Sequence, residues 1–228
     1  MAQTHATWPR GSAPDRGAQS QGCTMLKMNP QDTARRDFFD AHAKGWEERN
    51  YPPRLRLRLE AMLERVSLSE GMTVLDVGCG RGVLQPYLRQ RVGATGRLAA
   101  LDFSSAMLEG AAQRYPFVWP LLARAERIPL LDGFVDALIC FSAFPHIEDK
   151  KAAAREFHRV LKPGGRAYVI HLEGREKLNA IHDRHDAVRG DHMPCINGMR
   201  SIFGQAGFGH IESDESADHY YFCAHKED

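Results

Sequence analysis

The feature that most constrains the fold is the pattern of apolar residues after residue 70, where short apolar runs alternate with stretches of helical periodicity. The apolar runs occupy residues 73–77, 97–101, 117–122, 135–141 and 167–171. The intervening helical stretches occupy residues 82–91, 104–114 and 149–161. Because apolar runs without polar alternation are typical of strands covered on both faces, this order predicts an α/β fold built on a parallel sheet.

The flanking segments extend this prediction. Residues 32–50 and 54–66 have helical patterns and are separated by Pro52 and Pro53, which cannot continue a helix. A further helix is expected near 198–206, followed by strands near 208–213 and 218–225. Pro163 and the two glycines after it predict a turn that leads into the fifth strand. We therefore expect a seven-stranded, mostly parallel sheet with an antiparallel last strand and helices on both faces.

The first 30 residues differ from the rest of the chain in composition. They are rich in Gly, Ser, Ala, Pro and Gln and have no hydrophobic period, which predicts a disordered leader over residues 1–30. Met25 and Met28 are candidates for the natural start, and the sequence does not decide between them and Met1. Residues 31–228 are expected to form one domain, in which residues 31–67 are a helical lid or cap.

Composition and charge limit the binding partners and the cellular compartment that we expect. The formal net charge is +1, so there is no electrostatic reason to expect a nucleic acid or a membrane surface as partner. The five cysteines are scattered without CxxC spacing, and no apolar run is long enough to span a bilayer. We expect a cytoplasmic, reduced protein that is a monomer or a homodimer and acts on a small molecule.

A glycine-rich loop directly follows the first predicted strand. Asp76 ends that strand, and Gly78, Gly80 and Gly82 follow at alternate positions before a helix. Glycines let a backbone approach a ligand closely, but such a loop alone indicates only a nucleotide-like ligand. The carboxylate of Asp76 would repel a pyrophosphate, whereas Asp102 at the end of the second strand can accept ribose hydroxyls. S-adenosylmethionine, which is cationic and lacks phosphate, fits this pattern.

Five ordered motifs carry a resemblance to a known family. They are VLDVGCGRG at 74–82, LDFSSAML at 101–108, AERIPL at 125–130, FVDAL at 134–138 and RVLKPGG at 159–165. Over residues 35–225 the chain resembles the class I S-adenosylmethionine-dependent methyltransferase superfamily, in the small-molecule branch that includes ubiquinone/menaquinone-type enzymes. The resemblance implies a Rossmann-like fold, S-adenosylmethionine as cofactor, and direct methyl transfer to a small molecule with release of S-adenosylhomocysteine.

The resemblance also implies roles for matching positions. The loop residues Asp76, Gly78, Cys79 and Gly80 correspond to the segment that holds the methionine part of the cofactor. The remaining implied cofactor-binding residues are Asp102 at the ribose, Phe103 beside the adenine, Ala125 and Glu126 flanking the adenine, and Phe141, whose backbone faces the amino group. Arg124 departs from the pattern, because many relatives carry an adenine-binding Asp there.

Several histidines remain open to different interpretations. His146 and His171 follow strands four and five, where they are candidates for a general base or for substrate contact. His182 and His185 are further candidates for the base, and all four could equally be surface or capping residues. A metal site is a third alternative, with His182 and His185 on one face of a predicted helix and Asp186, His192 and Cys195 nearby in sequence. No metal is expected.

The motifs indicate cofactor binding more directly than they indicate turnover. The expected function is an S-adenosylmethionine-dependent methyltransferase. The alternative is a non-catalytic sensor or subunit that binds S-adenosylmethionine or S-adenosylhomocysteine, because an intact binding site does not establish catalysis.

Overall fold

The computed structural model describes residues 29–228, which form helices and strands in alternation. The helices are α1 Pro30–His42, α2 Trp46–Asn50, α3 Pro53–Leu63, α4 Gln85–Val92, α5 Ser105–Arg114, α6 Lys150–Val160, α7 Arg175–His182 and α8 Ile196–Gln205. The strands are β1 Thr73–Val77, β2 Arg97–Asp102, β3 Val118–Leu122, β4 Val135–Phe141, β5 Leu161–His171, β6 Ile211–Glu215 and β7 Tyr220–His225. Two 3₁₀ turns lie at Phe144–His146 and Asp186–Val188.

The strands form one seven-stranded sheet in the order β3-β2-β1-β4-β5-β7-β6. Strands β1 to β5 pair in parallel, whereas β7 runs antiparallel to both of its neighbours. The predicted α/β class, strand number and antiparallel last strand are therefore confirmed. The strand order reverses between β1 and β4, and in such sheets the crevice for ligands lies beyond the carboxyl ends of the strands at this point.

Both faces of the sheet are covered, which explains why the strands lack polar alternation. All five residues of β1 are buried, and alternate residues contribute to two separate apolar cores. One core takes Leu75 and Val77 together with α6 and α8, and the other takes Val74 together with α3, α4 and α5. None of the described helices has the length and apolar character needed to cross a membrane.

The N-terminal helical region differs from the sequence prediction. The continuous pattern over 32–50 corresponds to two helices, because α1 ends at His42 and α2 begins only at Trp46. Gly45 precedes α2 in the left-handed backbone region, with φ of 70°, which interrupts the helix. The predicted leader falls mostly on residues 1–28, outside the described residues, and α1 already includes Pro30 with Asn29 as its N-cap.

Strand β5 is longer than predicted. The segment from Lys162 to Gly165, expected to be a turn before the strand, lies inside β5, which begins at Leu161. The pairing with β4 jumps from Leu161 to Arg166, so the segment forms a bulge. It stays in the sheet because the Gly164 N–H donates to the Lys226 carbonyl and the Gly165 carbonyl accepts from the Lys226 N–H. These bonds join residues distant in sequence, which local turn signals do not reveal.

Candidate active site

A pocket of about 960 Å³, counting its open mouth, lies at the carboxyl ends of β1, β2 and β4. Its walls come from the glycine loop, the segments after β2, β3 and β4, and helices α1 and α2. Every residue that the resemblance assigned to the cofactor lines this pocket: Asp76, Gly78, Cys79, Gly80, Asp102, Phe103, Ala125, Glu126 and Phe141. His146 lines the same pocket, whereas His171 does not.

Two glycines of the loop are required for different reasons. Gly78 and Gly80 both have positive φ, 69° and 52°. A Cβ on Gly78 would lie 2.3 Å from the Cβ of Ala143, so this glycine permits close packing against the segment after β4. A Cβ on Gly80 would meet no atom within 4 Å, although the residue lines the pocket. The backbone at Gly80 therefore borders a space that a ligand can fill.

Two buried carboxylates flank the loop. Asp76 is 1% exposed, and its Oδ2 accepts a hydrogen bond of 2.7 Å from Gln85 Nε2. Burial, together with the charge of Asp102, raises the pKa of Asp76 to about 8. Asp102 accepts backbone N–H groups from Gly80 (2.8 Å) and Ser104 (2.9 Å), one on each oxygen. Burial still raises the pKa of Asp102 to about 6, although these hydrogen bonds lower it.

This arrangement fits a cationic nucleoside better than a phosphate ester. Buried carboxylates without a cationic partner favour a ligand that brings positive charge or hydroxyl donors. Each oxygen of Asp102 keeps a lone pair after accepting one N–H, so both can accept ribose hydroxyls. Gly80 leaves the nearby backbone open. The pocket thus offers acceptors for the hydroxyl groups and the positive charge of S-adenosylmethionine.

Helices α1 and α2 close one side of the pocket with residues that lie outside the sequence motifs. Their contribution, together with the following residue 51, comprises Asp32, Arg35, Phe39, Trp46, Glu47 and Tyr51. Phe39 makes edge contacts with Phe103, with ring centroids 5.9 Å apart, and with His146 at 5.1 Å. Tyr51 packs on Phe141 at 5.6 Å. Helix α1 therefore touches both Phe103, which follows β2, and His146, which follows β4.

Arg124, which departs from the family pattern, forms ion pairs with three carboxylates. It pairs with Asp32 of α1, makes two contacts of 2.9 and 3.2 Å to the Glu126 carboxylate, and lies 3.6 Å from Glu148. Burial lowers the pKa of Arg124, but the carboxylates of Glu126 and Asp32 outweigh burial and raise it. The side chain thus fastens α1 to the segment after β3, and the Glu126 carboxylate is engaged with it.

A second ion-pair network reaches the pocket from the C-terminal half. Asp191 is 3% exposed and accepts two hydrogen bonds from Arg35, at 2.6 and 2.9 Å. Its Oδ2 also lies 2.8 Å from Nδ1 of His146. Burial raises the pKa of Asp191, but the hydrogen bonds from His146 and Arg35 outweigh burial and hold it below its usual value. With Nδ1 donating to this carboxylate, Nε2 of His146 carries the free lone pair.

The other candidate histidines do not share this position. His171 is buried outside the pocket, its Nε2 has no hydrogen-bond partner, and burial with two neighbouring histidines lowers its pKa to about 3. His182 is buried, and its Nδ1 lies 2.5 Å from the Asp191 carbonyl. The prediction that His182 and His185 share a helix face is wrong, because α7 ends at His182. His192 pairs with Asp183 at 2.7 Å.

Sequence reasoning missed Asp191, Arg35 and Asp32. Asp191 is separated from Arg35 by 156 positions, so no spacing rule connects them. The one local signal is that α1 carries Asp32 and Arg35 three positions apart, which places them on one face of the helix. A charged pair at this spacing is compatible with burial, but it does not identify the other partners.

Comparisons with known proteins agree with this geometry. The methyltransferase domain family matches residues 75–169. A 2-phytyl-1,4-naphtoquinone methyltransferase from Nostoc punctiforme is 35% identical over 136 residues, which cover 55% of this chain and 58% of that protein. A ubiquinone/menaquinone biosynthesis C-methyltransferase from an Enterobacter species is 29% identical over 142 residues, which cover 60% and 56%. The chain thus spans somewhat more than half the length of these curated relatives.

A solved structure extends the likeness beyond the matched domain. The crystal structure of a SAM-dependent methyltransferase from Aquifex aeolicus superimposes with a TM-score of 0.63 and 26% identity, over 82% of this chain and 96% of that one. The matched family region runs from within β1 into β5, so it contains the strand ends that form the pocket. Residues 75–169 therefore carry a methyltransferase domain, and the fold around it is similar to that of S-adenosylmethionine-dependent methyltransferases.

Proposed function

We propose that the protein is an enzyme that transfers a methyl group from S-adenosylmethionine to a small-molecule acceptor and releases S-adenosylhomocysteine. The observation that carries this proposal is that His146, held by Asp191, lines the same pocket as the glycine loop. A pure sensor would need the loop and the acids, but it would not need a basic nitrogen positioned in the same pocket.

Within this proposal, the loop and the two acids hold the cofactor. Asp102 accepts the ribose hydroxyls, Gly80 lets the backbone lie against the ligand, and Asp76 offers a buried negative charge to the ammonium group. The side chains of Arg124 and Glu126 are paired with each other and so are not free to bind the adenine. We therefore assign the adenine contact of this segment to the backbone of Ala125. When bound, S-adenosylmethionine supplies a methyl group that its own sulfonium charge activates.

His146 is then the candidate general base. Asp191 holds the imidazole in the tautomer with a free Nε2 and would stabilise the imidazolium after proton uptake. Arg35 keeps Asp191 ionised and fixes its orientation by contacting both carboxylate oxygens. This arrangement suits an acceptor whose attacking atom must lose a proton. His171 is the other candidate base, and its burial outside the pocket favours His146.

The acceptor class follows from the walls and the relatives. Phe39 contacts His146, and Trp46, Tyr51 and Phe141 add aromatic surface to the same pocket. One curated relative is named a 2-phytyl-1,4-naphtoquinone methyltransferase and another a ubiquinone/menaquinone biosynthesis C-methyltransferase, so hydroquinone rings are the first acceptors to test. We also propose that the protein is cytoplasmic. The free thiols of the described cysteines Cys79, Cys140, Cys195 and Cys223 support this proposal.

Calorimetric titration tests the cofactor assignment. The wild type is expected to bind S-adenosylmethionine and S-adenosylhomocysteine with micromolar to millimolar affinity. Asp102→Ala should weaken both by at least about 100-fold, since it removes the ribose acceptor and frees two buried N–H groups. Glu109→Ala on the outer face of α5 serves as the matched acidic control. No binding to the wild type would contradict the assignment, and binding without acceptor-dependent formation of S-adenosylhomocysteine would favour the sensor.

Steady-state kinetics test the role of His146. His146→Ala is expected to lower kcat by about 10²–10⁴-fold while the affinity for S-adenosylhomocysteine stays nearly unchanged. Asp191→Asn should lower kcat by at least about tenfold and change the pH profile of kcat/KM, because the imidazole loses its charged partner. His185→Ala is the control, since His185 is exposed and lies beyond α7. Equal turnover in the wild type, His146→Ala and His185→Ala would reject the base.

A further inference from the structure

One group of metal-ligand side chains lies away from the pocket, at the edge of the sheet. Among the residues that the structure describes, His210, Glu212 and His225 are the set whose ligand atoms all fall within 4.8 Å of one another. His210 directly precedes β6, Glu212 is in β6, and His225 ends β7. The set is therefore built by the antiparallel pairing of the last two strands.

Strand register brings the three side chains to one face. Ile211 pairs with Ala224 and Glu212 with Cys223, so His210 stands opposite His225, and the His225 N–H donates to the His210 carbonyl at 3.0 Å. Residues two apart in a strand point to the same face, as do residues directly opposite each other. The ladder thus fixes the three ligands relative to one another without relying on a flexible loop.

The distances match those of a coordination sphere. Glu212 Oε1 lies 3.3 Å from His225 Nε2 and 3.6 Å from His210 Nε2. Two atoms that bind one zinc ion at about 2.0–2.1 Å with tetrahedral angles lie about 3.4 Å apart. All three ligand atoms lie within 4.8 Å of one another, so rotation of the side chains can bring them onto one ion.

The state of His225 provides a separate argument. Its Nε2 is buried and has no hydrogen-bond partner, although Glu212 is only 3.3 Å away. The two atoms are close without the alignment of a hydrogen bond, as expected when both point at a common third position.

We propose that His210, Glu212 and His225 bind one divalent transition-metal ion of the zinc type, which clips β6 to β7 at the edge of the sheet. Two imidazoles and one carboxylate form a ligand set that zinc accepts, with water in the fourth position because His210 and Glu212 are exposed. Binding of the ion stabilises the folded chain, because only the folded chain brings residues 210, 212 and 225 together. It lies outside the active site and does not depend on the proposed function.

The test is a titration of the full-length, tag-free chain with Zn²⁺ after treatment with a chelator. We expect one equivalent to bind saturably and to raise Tm by at least about 4 °C at saturation. Co²⁺ should give the visible absorption of a tetrahedral site with nitrogen and oxygen ligands. Glu212→Gln and His225→Ala should each weaken Zn²⁺ binding by at least about tenfold.

Matched controls locate the site. His219→Ala removes a histidine of the same hairpin that pairs with Asp214, and His192→Ala removes one from the segment after α7. Both should bind Zn²⁺ like the wild type. The proposal is overturned if the wild type shows no saturable binding, if Glu212→Gln and His225→Ala bind as tightly as the wild type, or if His192→Ala abolishes binding. Circular dichroism of each metal-free variant verifies that the lost affinity does not reflect unfolding.

Discussion

Gly80→Asn is expected to weaken S-adenosylmethionine binding by at least about 100-fold while leaving the chain folded. The backbone at Gly80 has φ of 52°, and a Cβ there meets no atom within 4 Å. Asn tolerates this left-handed region better than other side chains, so the cost to folding is small. Its side chain, however, would occupy space on the pocket side of the loop, where the cofactor is proposed to lie. Calorimetry for binding and thermal unfolding for Tm separate the two effects.

Gly78→Ala, in the same loop, is expected to affect mainly the stability of the fold. Its Cβ would lie 2.3 Å from that of Ala143, so the free energy of unfolding should fall by about 2–4 kcal/mol. Gly78→Ala combined with Ala143→Gly removes the clash and should recover part of this loss, leaving the backbone strain. If Gly80→Asn bound the cofactor like the wild type, the cradle assigned to Gly80 would be wrong. If Gly78→Ala were as stable as the wild type, the packing argument would fail.

Asp76→Asn is expected to stabilise the ligand-free protein and to weaken ligand binding. Burial raises the pKa of Asp76 to about 8, far above the value of about 3.9 in an unfolded chain. Between these two values the folded state holds the proton more tightly than the unfolded state does. The contribution of Asp76 to stability is therefore lost as pH rises through this window, by on the order of 1 kcal/mol per pH unit. Asparagine cannot ionise, so it escapes this loss.

Denaturant unfolding from pH 5 to pH 8.5 checks this expectation. The advantage of Asp76→Asn over the wild type should grow with pH and level off above about pH 8. S-adenosylhomocysteine, which keeps the ammonium group, should bind the wild type more tightly as pH rises from 6 to 8, because binding favours the ionised carboxylate. Asp76→Asn should lose this pH dependence. A constant stability difference across the range would show that Asp76 is ionised throughout.

The sequence could predict much of the fold and of the cofactor site for a physical reason. Strands that are buried on both faces must be apolar throughout, so β1 and β4 were recognisable with their exact bounds. The loop was recognisable because a ligand-binding turn requires glycine where a Cβ would clash or intrude, as at Gly78 and Gly80. Both signals are local: each residue's type reports its own backbone or its own burial.

The remaining features depend on residues that meet only in the folded chain. Asp191 contacts both His146 and Arg35, and Arg35 lies 156 positions away in the sequence. The residues next to Asp191 in the sequence do not indicate either contact. The same applies to Arg124, whose ion pair with Asp32 fixes α1 over the pocket. The sequence by itself determined the sheet and the acids at its edge, because burial and backbone geometry select residue types locally. Only the tertiary structure decided which of the candidate bases is paired with a carboxylate, because long-range ion pairs leave no periodic pattern in the sequence.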